Sequence, residues 1–236
     1  SGAGPHPTVV LCHGLPGNEQ NLDLAQAARR AGFVVLTLHY RGSWGSPGIF
    51  SFANASADGI NAADWLIAPE QLARYQIDKN RLVLAGHSMG GFVALRVAAA
   101  RPSAKGLLLL DAWNPGDGML ASLRAPGGKA QYVSRQGNSL NMLAATTAGL
   151  ADEILDGGDA FDLRREAPAL AARPVLVLAA EKANGLTNRR LAESFRASGN
   201  TQVGLVIMPT DHGFNDHRIA LISASLDWLD QFKRKP

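Results

Sequence analysis

One stretch constrains this chain more than any other: Arg81-Leu82-Val83-Leu84-Ala85-Gly86-His87-Ser88-Met89-Gly90-Gly91, followed by Phe92 to Arg101 and closed by Pro102. An apolar strand-like run enters it and a helical run leaves it, so the glycines must carry a sharp strand-to-helix turn. Glycine is required on both flanks because a side chain there would strike the neighbouring strand or helix. The turn lifts the Ser88 hydroxyl into the open at a helix N-terminus, where the backbone dipole favours developing negative charge. Ser88 is therefore the candidate nucleophile, set against the plain alternative of a structural glycine turn.

The rest of the chain repeats the strand-then-helix alternation. Strands are predicted at Thr8 to Cys12, Phe33 to His39, Arg81 to Ala85, Leu107 to Leu110, Pro174 to Ala179 and Gln202 to Met208, most of them continuous apolar runs of the kind buried on both faces. Helices are predicted over Asn21 to Ala31, Ala57 to Ile67, Phe92 to Arg101 and Ile219 to Phe232. The pattern is that of an α/β fold with a mostly parallel, doubly wound sheet. Residues 112–172 are different: rich in Gly, Asn, Asp and Arg, they separate a strand ending near Leu110 from one starting near Pro174. Long excursions of this kind commonly form a lid, so a cap insertion is expected there, with residues 1–111 and 173–236 as the core.

Composition narrows the function classes. With 236 residues, 46% hydrophobic and 18% charged, the chain can bury one sizeable core, which excludes disordered, collagen-like and coiled-coil classes. No linker divides it. The net charge of +3 comes from 23 basic and 20 acidic residues scattered along the chain, with no basic run longer than Lys233-Arg234-Lys235, so no nucleic-acid partner is expected. No apolar stretch reaches the roughly 18 residues that span a bilayer. The lone Cys12 excludes an internal disulfide. The chain opens Ser1-Gly2-Ala3-Gly4 rather than on Met, which suggests a removed segment and leaves the compartment open. Oligomeric state is not readable.

Acyl transfer on a serine needs two backbone N–H groups aimed at the oxyanion and a base to take the hydroxyl proton. Met89, directly after Ser88, supplies the first amide. The second is assigned to Leu15 in Val9-Val10-Leu11-Cys12-His13-Gly14-Leu15-Pro16-Gly17, because Pro16 has no N–H. His13 organises this loop rather than acting as base. Of the six histidines, His212 is the candidate base, since it follows the last strand within Thr210-Asp211-His212-Gly213-Phe214. His217 reads as a capping or surface residue. His6, His39 and His87 have no comparable loop position.

Taken together, His-Gly-x-Pro-Gly, Gly-His-Ser-Met-Gly-Gly and Asp-His-Gly-Phe resemble the α/β-hydrolase superfamily over essentially the whole chain. Tyr40-Arg41-Gly42, Gly45-Ser46-Pro47-Gly48-Ile49-Phe50 and Asp211 to Asp216 are most similar to cinnamoyl (feruloyl) esterase-like and serine-aminopeptidase-like members. The resemblance implies an eight-stranded sheet, of which this chain would begin at the third strand, and a Ser-His-acid triad. The acid departs from the family pattern. After the strand at Val175 to Ala179 the sequence reads Ala180-Glu181-Lys182-Ala183-Asn184-Gly185-Leu186, with no aspartate. Asp111, closing the preceding strand, and Glu181, with its longer reach, are the two candidate carboxylates; Asn184 or no third member is the remaining alternative.

The expected function is that of a serine hydrolase, most simply a carboxylesterase on small to medium acyl or aryl esters, needing no cofactor or metal. The alternatives are a peptidase or amidase on the same machinery, and a pseudoenzyme or binding module. Trp113 and Tyr132 are the candidate substrate-binding residues of the cap, with Met119, Leu120, Met142 and Leu143 as further candidates for its apolar lining.

Overall fold

The computed structural model describes residues 4–233, so Ser1-Gly2-Ala3 and Arg234-Lys235, noted above, lie outside the described residues. Six strands form one sheet: β1 (His6–Cys12), β2 (Val34–Leu38), β3 (Ile77–His87), β4 (Ala104–Leu110), β5 (Val175–Ala180) and β6 (Val203–Met208). Their order is β2-β1-β3-β4-β5-β6, and every pairing is parallel. The expectation of a mostly parallel sheet thus becomes an all-parallel one among the described residues, with six strands rather than the eight the resemblance implies.

Both faces of the sheet are buried, which explains why the strands read as unbroken apolar runs. Successive residues alternate between two cores. Val10, Cys12, Leu82, Leu84, Leu107 and Leu109 pack on one face with α2 (Phe52–Leu66), α4 (Met89–Ala100) and α8 (Gly185–Ala197). Val9, Leu11, Val83, Ala85, Leu108 and Leu110 pack on the other with α1 (Leu22–Arg30) and α9 (Arg218–Leu229). A helix not expected from the sequence, α3 (Pro69–Tyr75), starts with proline at its first position, where the missing N–H costs nothing.

Residues 112–172 carry α5 (Met119–Arg124), α6 (Gly128–Gln136), α7 (Thr147–Gly157) and two 3-10 segments, Gly158–Phe161 and Leu163–Leu170. The segment divides in two by its packing. Phe161 stacks on Phe92 of α4 at 5.4 Å, and Leu163, Ala167 and Leu170 are buried in the same core, so its last part completes the helical layer over the sheet. The stretch from Trp113 to Leu143 lies nearer the carboxyl ends of the strands. The β3 and β4 ends are in register, His87 with Leu110, as are β4 and β5, Leu110 with Leu178. In parallel α/β sheets this edge is where ligands are bound.

Candidate active site

Ser88 follows β3 directly and takes φ 56°, ψ −122°, a conformation that L residues rarely adopt. Its neighbours hold it there. The Ser88 amide donates to the Leu110 carbonyl at 3.0 Å, and the Ser88 carbonyl accepts from the amides of Gly91 and Trp113, both at 2.9 Å. The glycines are needed for close approach: a Cβ on Gly86 would lie 2.0 Å from the Gly90 carbonyl oxygen, and one on Gly90 would lie 2.0 Å from that of Cys12.

Asp111 is the next residue after β4 and has φ 43°, a region Asp tolerates better than most side chains. Its carboxylate is fully buried. Oδ2 accepts from His212 Nδ1 at 2.5 Å and from the Asn184 amide at 3.3 Å, while Oδ1 accepts from the Ala180 amide at 2.9 Å. A carboxylate only accepts, so His212 Nδ1 carries a proton, and in the neutral imidazole Nε2 keeps its lone pair. That is the tautomer a base toward Ser88 requires. Ser88 and His212 border one cavity of about 180 Å³, and the His212 side chain is 41% exposed, so this cavity opens to solvent.

Glu181 is not brought to the imidazole. Its side chain is exposed, and its contribution among the described hydrogen bonds is a backbone one, the amide donating to the Met208 carbonyl at 2.9 Å. The expectation of Glu181 as an alternative acid is corrected accordingly. Asn184 is also not a replacement acid: its side-chain amide donates to the Asp111 carbonyl at 3.1 Å, bracing the aspartate. Asn188, which the sequence reading missed, is buried on α8 and grips Ala112 from both sides. Its Oδ1 accepts from the Ala112 amide at 3.1 Å and its Nδ2 donates to the Ala112 carbonyl at 2.9 Å.

His87 also acquires a place that the sequence did not give it. Its Nε2–H donates to the His212 carbonyl at 2.8 Å, and the two rings lie 4.6 Å apart. Burial first, and the neighbouring His212 charge second, push its pKa down to about 4. His217 stands at the N-cap of α9, with Nδ1 2.9 Å from the Asp216 carboxylate.

Leu15 and Met89 both border a cavity of about 140 Å³ that also reaches Ser88. Among the described residues no hydrogen-bond acceptor is found for either of their backbone amides. His13 is buried and shapes this loop: its Nδ1 contacts the Gly14 carbonyl at 2.7 Å, and burial pushes its pKa down. Trp113, Met119 and Tyr132 line the cavity, together with Gln136 and Leu140, which were not singled out. Gln136 lies one helical turn beyond Tyr132 on α6, so helical spacing alone would have found it. Leu120, Met142 and Leu143 do not border this cavity; Leu120 and Leu143 are buried in the core, and Met142 packs against it. A larger groove of about 640 Å³ between α4 and α7 contains neither Ser88 nor His212.

The Alpha/beta hydrolase family profile matches residues 9–224, and the chain belongs to that family. It is 34% identical over 102 residues, 43% of its own length and 34% of the relative's, to an uncharacterized protein of Mycobacterium tuberculosis. It is 33% identical over 109 residues, 45% of the chain, to Cutinase 2 of Thermobifida cellulosilytica, covering 39% of that protein. The chain thus spans about a third of the length of these curated relatives. The monoacylglycerol lipase of Paleococcus ferrophilus has the same fold, with a TM-score of 0.68 at 20% identity over 95% of this chain and 94% of the lipase. No helix among the described residues is long and apolar enough to cross a membrane.

Proposed function

We propose that this chain is a serine carboxylesterase that cleaves small to medium acyl or aryl esters through an acyl-enzyme on Ser88. The observation that carries the reading is the buried Asp111 carboxylate 2.5 Å from Nδ1 of His212, in a cavity shared with Ser88. His212 Nε2 takes the Ser88 hydroxyl proton as Oγ attacks the ester carbonyl, and the tetrahedral oxyanion accepts from the Leu15 and Met89 amides. The imidazolium, stabilised by Asp111, returns that proton to the leaving alcohol as the C–O bond breaks. Water then repeats the sequence on the acyl-enzyme and releases the acid. Of the 112–172 segment, the stretch from Trp113 to Leu140 serves as the cap over the acyl group, and the 140 Å³ of the cavity beneath it suits a short acyl chain. The relatives named cutinase and the fold neighbour named monoacylglycerol lipase support an ester rather than an amide.

The test is covalent labelling with a fluorophosphonate followed by peptide mass spectrometry. The label is expected on Ser88, and Ser88→Ala should abolish it while lowering aryl ester hydrolysis by at least about a thousandfold at an unchanged melting temperature. A label on another residue, or activity retained in the variant, would sink the reading.

A further inference from the structure

The run Tyr40-Arg41-Gly42-Ser43-Trp44-Gly45 plays no part in the steps above, yet it holds an oddity. Trp44 has φ 50°, in the left-handed region that a bulky side chain normally avoids, and the residue is 41% exposed. A strained backbone and an exposed tryptophan are both unfavourable, and such positions persist where the surroundings fix them for a purpose. The indole N–H of Trp44 donates to the Pro16 carbonyl at 2.7 Å. Gly17, at φ +102°, lies so close beneath that an added Cβ would sit 2.7 Å from both Trp44 Nε1 and His13 Nδ1.

The mount for this indole is itself braced. Ser43 Oγ donates to the Tyr40 carbonyl at 2.7 Å, and Ser43 forms an isolated bridge with Leu143. The Ala144 amide donates to the Gly42 carbonyl at 2.7 Å. Tyr40, fully buried, donates its hydroxyl to the His13 carbonyl at 3.1 Å. The loop from His13 to Gly17 is therefore held at its start by Tyr40 and at its end by Trp44. Between the two anchors lies Leu15.

We propose that Trp44 is a positioning residue for the oxyanion hole: its indole N–H fixes the Pro16 carbonyl, and through the short backbone run before it the Leu15 amide, two peptide groups earlier, where the acyl oxygen becomes negative. The proposal rests on the reading of Ser88 as the acylated nucleophile. A donor aimed at the transition state rather than at the bound ester acts on kcat and leaves KM nearly untouched. A residue that merely packs, or one that contacts substrate, does not give that split.

The experiment compares wild type with Trp44→Phe and with a variant carrying 3-benzothienylalanine at position 44, which keeps the ring shape and replaces N–H by sulfur. For one aryl ester, both variants should lose about tenfold or more in kcat, with KM within about twofold. Affinity for a trifluoromethyl ketone, which forms a tetrahedral adduct on the serine, should fall by the same factor, at an unchanged melting temperature. Wild-type kcat in the benzothienyl variant, or a raised KM with kcat intact, overturns the proposal. A drop in melting temperature in the shape-preserving variant, with no specific loss of ketone affinity, makes the role structural and overturns it as well. If the wild type itself neither hydrolyses esters nor binds the ketone, the reading of Ser88 fails and takes this one with it; active variants in an active background sink the Trp44 role alone.

Discussion

The surroundings of Asp111 and the helical stretch from Trp113 to Leu140, proposed as the cover, are built in opposite ways. Asp111 has no exposed surface, and its two oxygens accept from three donors on β5, the turn after it and the His212 loop, while Asn188 locks the following residue in place. On the cover, α6 has no fully buried residue, and Gly118 and Gly127 adopt positive φ with open space around them. A transition state rewards dipoles that are already fixed, and the buried ends of adjacent strands supply them. Selection among acyl groups needs walls that differ from one relative to the next, and short surface helices tolerate that change.

Glycine substitutions bring out the same contrast between the tightly packed strand ends around Ser88 and Asp111 and the open cover. Gly90→Ala pushes a Cβ to 2.0 Å from a backbone oxygen of β1, and Gly127→Ala meets nothing within 4 Å and carries only the strain of φ +73°. The first should lower stability by more than about 4 kcal/mol. The second should cost about 1 to 2 kcal/mol. Denaturant titration of both variants measures the difference, and comparable losses would erase the distinction between the two regions.

A smaller effect concerns pH. His87 titrates near 4 in the folded chain, below the free histidine value, so the unfolded chain takes up this proton first as pH falls. Its contribution to stability is complete above about pH 6.5 and is lost as pH falls toward 4, amounting to about 3 kcal/mol over that window. His87→Gln should flatten the acid-side decline in unfolding free energy by about that amount. An unchanged slope would show that His87 is not held neutral beside His212.

The smallest expected effect lies in the cover. Tyr132→Ala should change the kcat/KM ratio between acetate and hexanoate esters by about fivefold or more, with stability within about 1 kcal/mol of wild type. A uniform loss across both esters would mean that α6 supports the fold rather than selecting substrate.

How far the sequence foretold these regions follows the same division. All six strands and the helices α1, α2, α4 and α9 were legible because apolar runs and helical spacing are local signals, with boundaries off by a few residues. Ser88 and His212 stood out as candidates because each lies in a turn that follows a strand, directly after β3 and four residues past β6. The acid could not be chosen from the sequence, because β4 and β5 are neighbours and a carboxylate after either could face the same histidine; what separates them is where the side chains go, Asp111 buried against His212 and Glu181 exposed. Asn188 was invisible because its partner, Ala112, is distant in sequence. In residues 112–172, Leu120 and Leu143 are apolar like Met119, and nothing local says which of them border the cavity beside Ser88.

The central claim is that Asp111, and no other carboxylate, completes the pair with His212. The measurement is kcat for one aryl ester in Asp111→Asn and in Glu181→Gln, with circular dichroism to establish that both are folded. An amide at position 111 loses the stabilisation of the imidazolium and permits the wrong tautomer, so kcat should fall by at least about a hundredfold and toward ten thousandfold. Glu181→Gln should stay within about threefold of wild type, as expected of an exposed side chain away from the imidazole. A folded Asp111→Asn enzyme within tenfold of wild type, or a larger loss in Glu181→Gln, would contradict the account.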